Sequence, residues 1–214
     1  MQPEIHLKRN QTILFIGNSI TDASRREPEY APFGRGYVHF VANTLLARYP
    51  TLDLNIINAG LSGNTIRDLD ARWEKDCLRH KPDILTVLIG INDLYWQHAD
   101  FQRPSKAVYT EEYELTYRQL LSRTRQQQNC QIVLMEPFIF CDDPQNEMLL
   151  GLRAYIDIVH KLADDFRAVL VPLQGCIDRQ ITQVPPQKWS ADSVHPYQWV
   201  HAWIAQRWFE ATHL

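Results

Sequence analysis

Short apolar runs alternate with longer amphipathic ones along the whole chain, and this alternation restricts the fold more than any other feature of the sequence. It is the pattern of an α/β domain built on a mainly parallel sheet. The strand-like runs are Thr12–Ile16, Leu54–Ile57, Ile84–Ile89, Gln131–Met135 and Ala168–Val171. Helical periodicity marks Gly36–Arg48, Thr65–Trp73, Thr110–Gln127, Glu147–Phe166 and Tyr197–Thr212. Within Glu147–Phe166, Leu152, Tyr155, Ile156, Val159 and Leu162 recur at helical spacing and are expected to face the sheet. Pro196 suits the first position of the last helix, where its missing N–H costs nothing. No repeat, linker or low-complexity segment interrupts the pattern, so residues 1–214 are expected to form one domain.

Composition narrows the function. A formal net charge of -3 with no basic run argues against nucleic acid as a partner. The four cysteines (Cys77, Cys130, Cys141 and Cys176) are widely spaced with no CxxC, which speaks against a metal knot or a redox pair. They read as free thiols of a reducing compartment. The first ten residues are polar, without the apolar core of a secretory signal, and no apolar stretch approaches the ~20 residues that span a bilayer. The expectation is a cytoplasmic protein that does not act at a membrane.

The first four strand-like runs end in Gly17, Asn58-Ala59-Gly60, Gly90 and Glu136-Pro137. Ligands of open parallel sheets bind beyond such carboxyl ends. The irregular stretches Asp22–Arg35, Trp96–Tyr109 and Cys141–Asn146 follow strand ends and should rim a cleft there. Ser19 comes two residues after the first strand, in Gly17-Asn18-Ser19-Ile20-Thr21-Asp22, where a tight strand-to-helix turn would expose its hydroxyl. The competing reading makes Ser19-x-x-Asp22 a capping box with Ser19 as a mere N-cap. His195 is the candidate base, and Asp192, three residues earlier, can hold its Nδ1–H so that Nε2 faces outward. Alone, such a pair is also ordinary surface chemistry. Gly60 and Asn92 could supply a backbone N–H and a side-chain amide to a developing oxyanion, or be a turn residue and part of a helix cap. The order Ser…Asp…His fits hydrolases on parallel sheets, but Gly-x-Ser-x-Gly is absent.

These segments resemble the SGNH hydrolases, the GDSL-like esterases named for the serine, glycine, asparagine and histidine of four blocks. Ser19, Gly60, Asn92 and the Asp192/His195 pair fall in those blocks, so the likeness covers nearly the whole chain; Asn18 stands where Asp is commonest. The resemblance implies a flavodoxin-like three-layer α/β/α sandwich with a five-stranded parallel sheet. It implies an oxyanion hole of Ser19 N–H, Gly60 N–H and the Asn92 amide. It also implies an acyl-enzyme route that needs no metal or organic cofactor. The stretch from Gly60-Leu61-Ser62-Gly63-Asn64 to Asp76 is similar to that of bacterial carbohydrate esterases that remove acetyl groups from xylo-oligosaccharides. The expected substrate is therefore a small acetylated sugar. A thioesterase or lysophospholipase is the alternative within the superfamily, and a catalytically silent carbohydrate-binding protein the alternative outside enzymes. Tyr95, Trp96 and Trp189 lie beside the blocks as candidate substrate contacts, though Trp189 could instead wedge its loop against the core. Trp199, Trp203 and Trp208 read as core or subunit-contact residues, which leaves a homo-oligomer open. Arg67 and Arg72 are expected to tie down the second helix, and Glu27 and Arg35 to line the mouth of the cleft.

Overall fold

A computed structural model describes residues 3–98 and 104–214. Five strands, β1 (Thr12–Gly17), β2 (Asn55–Gly60), β3 (Ile84–Leu88), β4 (Gln131–Met135) and β5 (Val169–Val171), form one sheet in the order β2-β1-β3-β4-β5. Every pairing is parallel. The register sets Gly17 beside Gly60 and Leu88, and Leu88 beside Met135. The carboxyl ends of four strands thus share one edge, and the strand order reverses at β1, which places a crevice beyond Gly17.

Among the described residues eight α-helices surround the sheet: α1 (Ser19–Asp22), α2 (Tyr37–Arg48), α3 (Ile66–Asp76), α4 (Ile91–His98), α5 (Thr110–Gln127), α6 (Glu147–Asp165), α7 (Leu173–Ile181) and α8 (Gln198–Thr212). On one face α2 packs against α8, and Phe15 of β1 meets Tyr37 and Trp208. Thr86, the register partner of Phe15, accepts the Trp208 Nε1–H at 3.1 Å. Helices α3, α5 and α6 pack in a row, with Trp73 Nε1–H donating to Thr124 between the first two. The layers close on β1, β3 and β4, whose central residues are fully buried. The fold is the expected α/β sandwich on a five-stranded parallel sheet.

The expected strands all form, while α1, α4 and α7 arise outside the helical stretches read from the sequence. Each is one to three turns long, too short for a periodic apolar stripe to stand out. Of the predicted loop Trp96–Tyr109, Trp96–His98 completes α4 and residues 99–103 lie outside the described residues. The last helix begins at Gln198 with Tyr197 as its N-cap, so Pro196 is not its first residue. Instead Pro196 bridges to Ser190, and Tyr197 N–H donates to Trp189 O at 2.9 Å, closing the loop between them. Among the described residues no helix is long and apolar enough to cross a membrane. All four cysteines are free, with Cys77 and Cys130 buried.

Candidate active site

Ser19 is the first residue of α1, directly beyond the end of β1. The N-cap is Asn18, whose Oδ1 accepts the Ile20 N–H at 3.1 Å, so Ser19 is released from the capping role. Its own N–H sits at a helix start, where amides lack an intrahelical acceptor. Asp22 does not close a capping box. Its buried Oδ2 instead receives both the N–H (3.0 Å) and the hydroxyl (2.9 Å) of Ser62, fastening α1 to the turn after β2.

The Ser19 hydroxyl lies 2.9 Å from His195 Nε2, and His195 Nδ1 lies 2.6 Å from Asp192 Oδ2. Asp192 Oδ1 accepts the Ser190 hydroxyl (2.9 Å) and the backbone N–H groups of Val194 (3.0 Å) and His195 (2.7 Å). Desolvation pushes this carboxyl up, but the His195 backbone and ring, Val194 N–H and Ser190 hydroxyl outweigh it. The result is a carboxyl held well below the usual range, so it stays ionised while an imidazole titrates. An ionised Asp192 fixes the proton on Nδ1 and leaves Nε2 as a lone pair aimed at Ser19.

The triad loop rests on Trp189. That ring is fully buried, stacks on Phe140 at 5.6 Å and donates Nε1–H to Val184 O. Phe140 N–H in turn donates to Ser193 O at 2.9 Å. Trp189 therefore supports the loop from beneath and cannot reach a ligand, which corrects its candidacy as a substrate contact. Tyr95 and Trp96 do line a cavity of about 350 Å³ together with Ser19, Gly63, Asn92 and His195.

Asn92, in the first turn of α4, donates one amide hydrogen to Asn64 O at 2.9 Å and lines the same cavity. That bond fixes the amide plane and leaves its second hydrogen for an acceptor in the cavity. Gly60 behaves differently from expectation. Its N–H donates to Asn58 Oδ1 at 2.9 Å, and it is absent from the wall of either cavity at Ser19. A Cβ there would sit 2.2 Å from Asp22 N, so this glycine exists to let α1 lie on β2. The glycine facing the cavity is Gly63, at φ +81, a conformation other residues rarely adopt. The signal for it was the second glycine of Gly60-Leu61-Ser62-Gly63. Arg72 anchors the strand ends, donating to Gly17 O (3.1 Å), Ala59 O (2.8 Å) and Asn64 Oδ1 (2.6 Å). Arg67 pairs with Glu112 at 2.7 Å. Arg35 lines a cavity beside Ser19, whereas Glu27 is not among its lining residues.

Asp93, beside Asn92, is fully buried, and its Oδ1 accepts the Ile66 N–H at 2.8 Å, tying α4 to the start of α3. Burial pushes its carboxyl up to about 7, against the pull of the Ile66 hydrogen bond. In the unfolded chain an aspartate titrates near ~4. The folded chain thus holds the proton more tightly, and that contribution to stability is lost as pH rises through about 7. Asp93→Asn keeps the acceptor and cannot ionise. The melting temperature of the unaltered protein is expected to fall between pH 5.5 and 8.5 by more than that of the variant. Equal falls in both would refute this account of Asp93.

Known proteins resemble this chain over most of its length. The GDSL-like Lipase/Acylhydrolase family matches residues 15–203. An acetylxylan esterase of Geobacillus stearothermophilus is 37% identical over 190 residues, 87% of this chain and 86% of the relative. The crystal structure of Axe2, an acetylxylan esterase from the same organism, superposes with a TM-score of 0.92 at 34% identity, covering 98% of this chain and 97% of that one. The crystal structure of LAE5, an alpha/beta hydrolase enzyme from the metagenome of Lake Arreo, Spain, gives 0.90 at 32% identity, covering 97% of each chain.

Proposed function

This chain belongs to the GDSL-like lipase/acylhydrolase family, and we propose that it is a serine esterase that removes acetyl groups from xylo-oligosaccharides or closely related sugars. The observation that carries the chemistry is the continuous line from Ser19 Oγ through His195 to Asp192, at 2.9 and 2.6 Å. His195 Nε2 takes the Ser19 proton as the oxygen attacks the ester carbonyl, forming a tetrahedral oxyanion. Asp192 stabilises the imidazolium. Collapse expels the sugar alkoxide, which leaves with the proton from His195, and acetyl-Ser19 remains. Water then attacks that ester with His195 again as base, releasing acetate and restoring the serine.

The oxyanion is assigned to Ser19 N–H, the free hydrogen of the Asn92 amide and Gly63 N–H. Gly63 replaces Gly60 because it faces the cavity shared with Ser19 and Asn92, while Gly60 N–H is already engaged. Donors fixed before the charge develops, as Asn92 is by Asn64, stabilise the transition state without reorganising. Tyr95 and Trp96, edge to face at 5.4 Å, offer rings suited to the C–H faces of a sugar. The free cysteines fit a site of action in the cytoplasm, on oligosaccharides already taken up.

The substrate rests on the kinship with acetylxylan esterases and on the mixed polar lining of the cavities at Ser19, which is suited to a sugar. Acetate release from acetylated xylo-oligosaccharides, together with rates on p-nitrophenyl acetate and octanoate, tests it. The expected result is acetate release and a clear preference for the acetyl ester. Preference for octanoate would transfer the protein to the lysophospholipase or thioesterase reading.

A further inference from the structure

A second cavity, of about 430 Å³, opens on the other side of Ser19, along Pro196, Tyr197, Gln198 and His201, and reaches Arg35. None of its lining residues is a carboxylate. It continues into a cavity of about 400 Å³ that shares Arg35 and Gln198 and is walled by Tyr30, Pro32 and Phe33. The aromatic cavity at Tyr95 and Trp96, the nucleophile and this polar trough therefore lie in sequence, giving room on both sides of the ester for neighbouring sugar rings.

His201 is the residue of this trough whose chemistry is most fixed by its surroundings. It lies in the first turn of α8, only 7 % exposed. Its Nδ1 accepts the Tyr37 N–H, the first amide of α2, at 3.2 Å. The ring lies so close to Gly36 that a Cβ there would come within 3.2 Å of Nδ1 and Cε1. An Nδ1 that accepts must carry no proton, so a neutral ring bears its hydrogen on Nε2. Burial first, and then the nearby Arg35 and His195, push the imidazole down to about 4, so that neutral form persists across the working range of an esterase. Nε2 has no acceptor on the protein among the described residues, and it is not among the sealed-off polar atoms of the interior. The mechanism above makes no use of it.

We infer that His201 is a specificity-determining residue, whose Nε2–H donates to a hydroxyl or ring oxygen of the glycan lying in the trough between Ser19 and Arg35. This rests on the sugar-esterase reading. A neutral, pre-aimed donor suits an uncharged sugar oxygen, because its tautomer is already set by Tyr37 and no charge need be desolvated. A substrate without such oxygens gains nothing from it, so the contribution appears as discrimination rather than as a faster chemical step.

Two substitutions separate the two faces of the ring. His201→Asn places an amide oxygen near the Nδ1 position, keeping an acceptor for Tyr37 N–H, and leaves nothing at Nε2. His201→Gln extends an amide nitrogen to the Nε2 position and restores the donor. The readout is kcat/KM on acetylated xylo-oligosaccharide divided by kcat/KM on p-nitrophenyl acetate, with melting temperature measured alongside. The ratio is expected to fall about three- to tenfold in the Asn variant, carried by KM, and to recover in the Gln variant. An unchanged ratio in His201→Asn overturns the inference. An equal fall in both variants with lowered melting temperatures also overturns it, leaving only support for α2. Absence of acetate release from these glycans by the unaltered enzyme would remove the sugar reading and this inference together. Release with an unchanged Asn ratio removes the inference alone.

Discussion

Ser19→Ala is expected to lower kcat/KM on p-nitrophenyl acetate by about 10⁴- to 10⁶-fold, the range seen when a triad nucleophile is removed. The size follows from what remains. His195 could still polarise a water, and the oxyanion donors would still be in place, but no acyl-enzyme could form. The route then loses the division of one difficult step into two easier ones. The substitution should leave the fold alone, because among the described residues the Ser19 hydroxyl hydrogen-bonds only to His195, while Asn18 caps α1 and Asp22 fastens it to Ser62. A melting temperature close to that of the unaltered protein is therefore part of the expectation. A fluorophosphonate should label the unaltered enzyme at Ser19 and not the variant. Activity that survived the substitution would sink the nucleophile assignment, and absence of labelling in both would favour the catalytically silent carbohydrate-binding alternative.

The fold could be read from the chain because its strands are unbroken apolar runs that end in Gly, Asn or Pro. Each of the five forms where its sequence suggests, to within one residue at either end except β2, which runs three residues past Ile57 to Gly60. The triad could be read for a similar reason. Asp192 and His195 are three residues apart, so local chain geometry alone brings them together, and Ser19 follows directly on a strand end. What stayed hidden depends on distance across the sheet. Nothing in the local sequence says that the Thr21 and Phe33 carbonyls will hold the Asn58 amide so that its oxygen takes the Gly60 N–H, or that Asp22 will hold Ser62 from forty residues away. The swap of Gly60 for Gly63 arises there: both are glycines after one strand, and only their neighbours across β1 and α1 tell them apart. Trp189 illustrates the same limit in another form. Its closeness in sequence to Asp192 left both a ligand contact and a wedge against the core open, and only the fold decides for the wedge, turning the ring inward onto Phe140 while Asp192 turns out. His201 was invisible for a third reason, since its role depends on which of its two nitrogens Tyr37 occupies.

Asp192→Asn is expected to lower kcat/KM by about 10³- to 10⁴-fold while leaving the loop largely intact. The amide oxygen can replace Oδ1 and go on accepting from Ser190, Val194 and His195. The amide nitrogen then faces His195 Nδ1 in place of Oδ2. An N–H opposite Nδ1 requires Nδ1 to accept, which moves the ring proton to Nε2 and turns it toward Ser19. The base is thereby lost without a change of shape, and no carboxylate remains to stabilise an imidazolium. Asp192→Ala should lose a similar factor and also destabilise the loop, because three donors to Oδ1 lose their acceptor at once. The pH profile offers an independent check. Asp192 stays ionised well below the usual carboxylate range, so it adds no protonation step of its own to the acid limb. The acid limb of log kcat/KM for the unaltered enzyme should have unit slope. A slope of two, or an Asn variant within tenfold of the unaltered enzyme, would show that Asp192 does not orient the base as the 2.6 Å contact indicates.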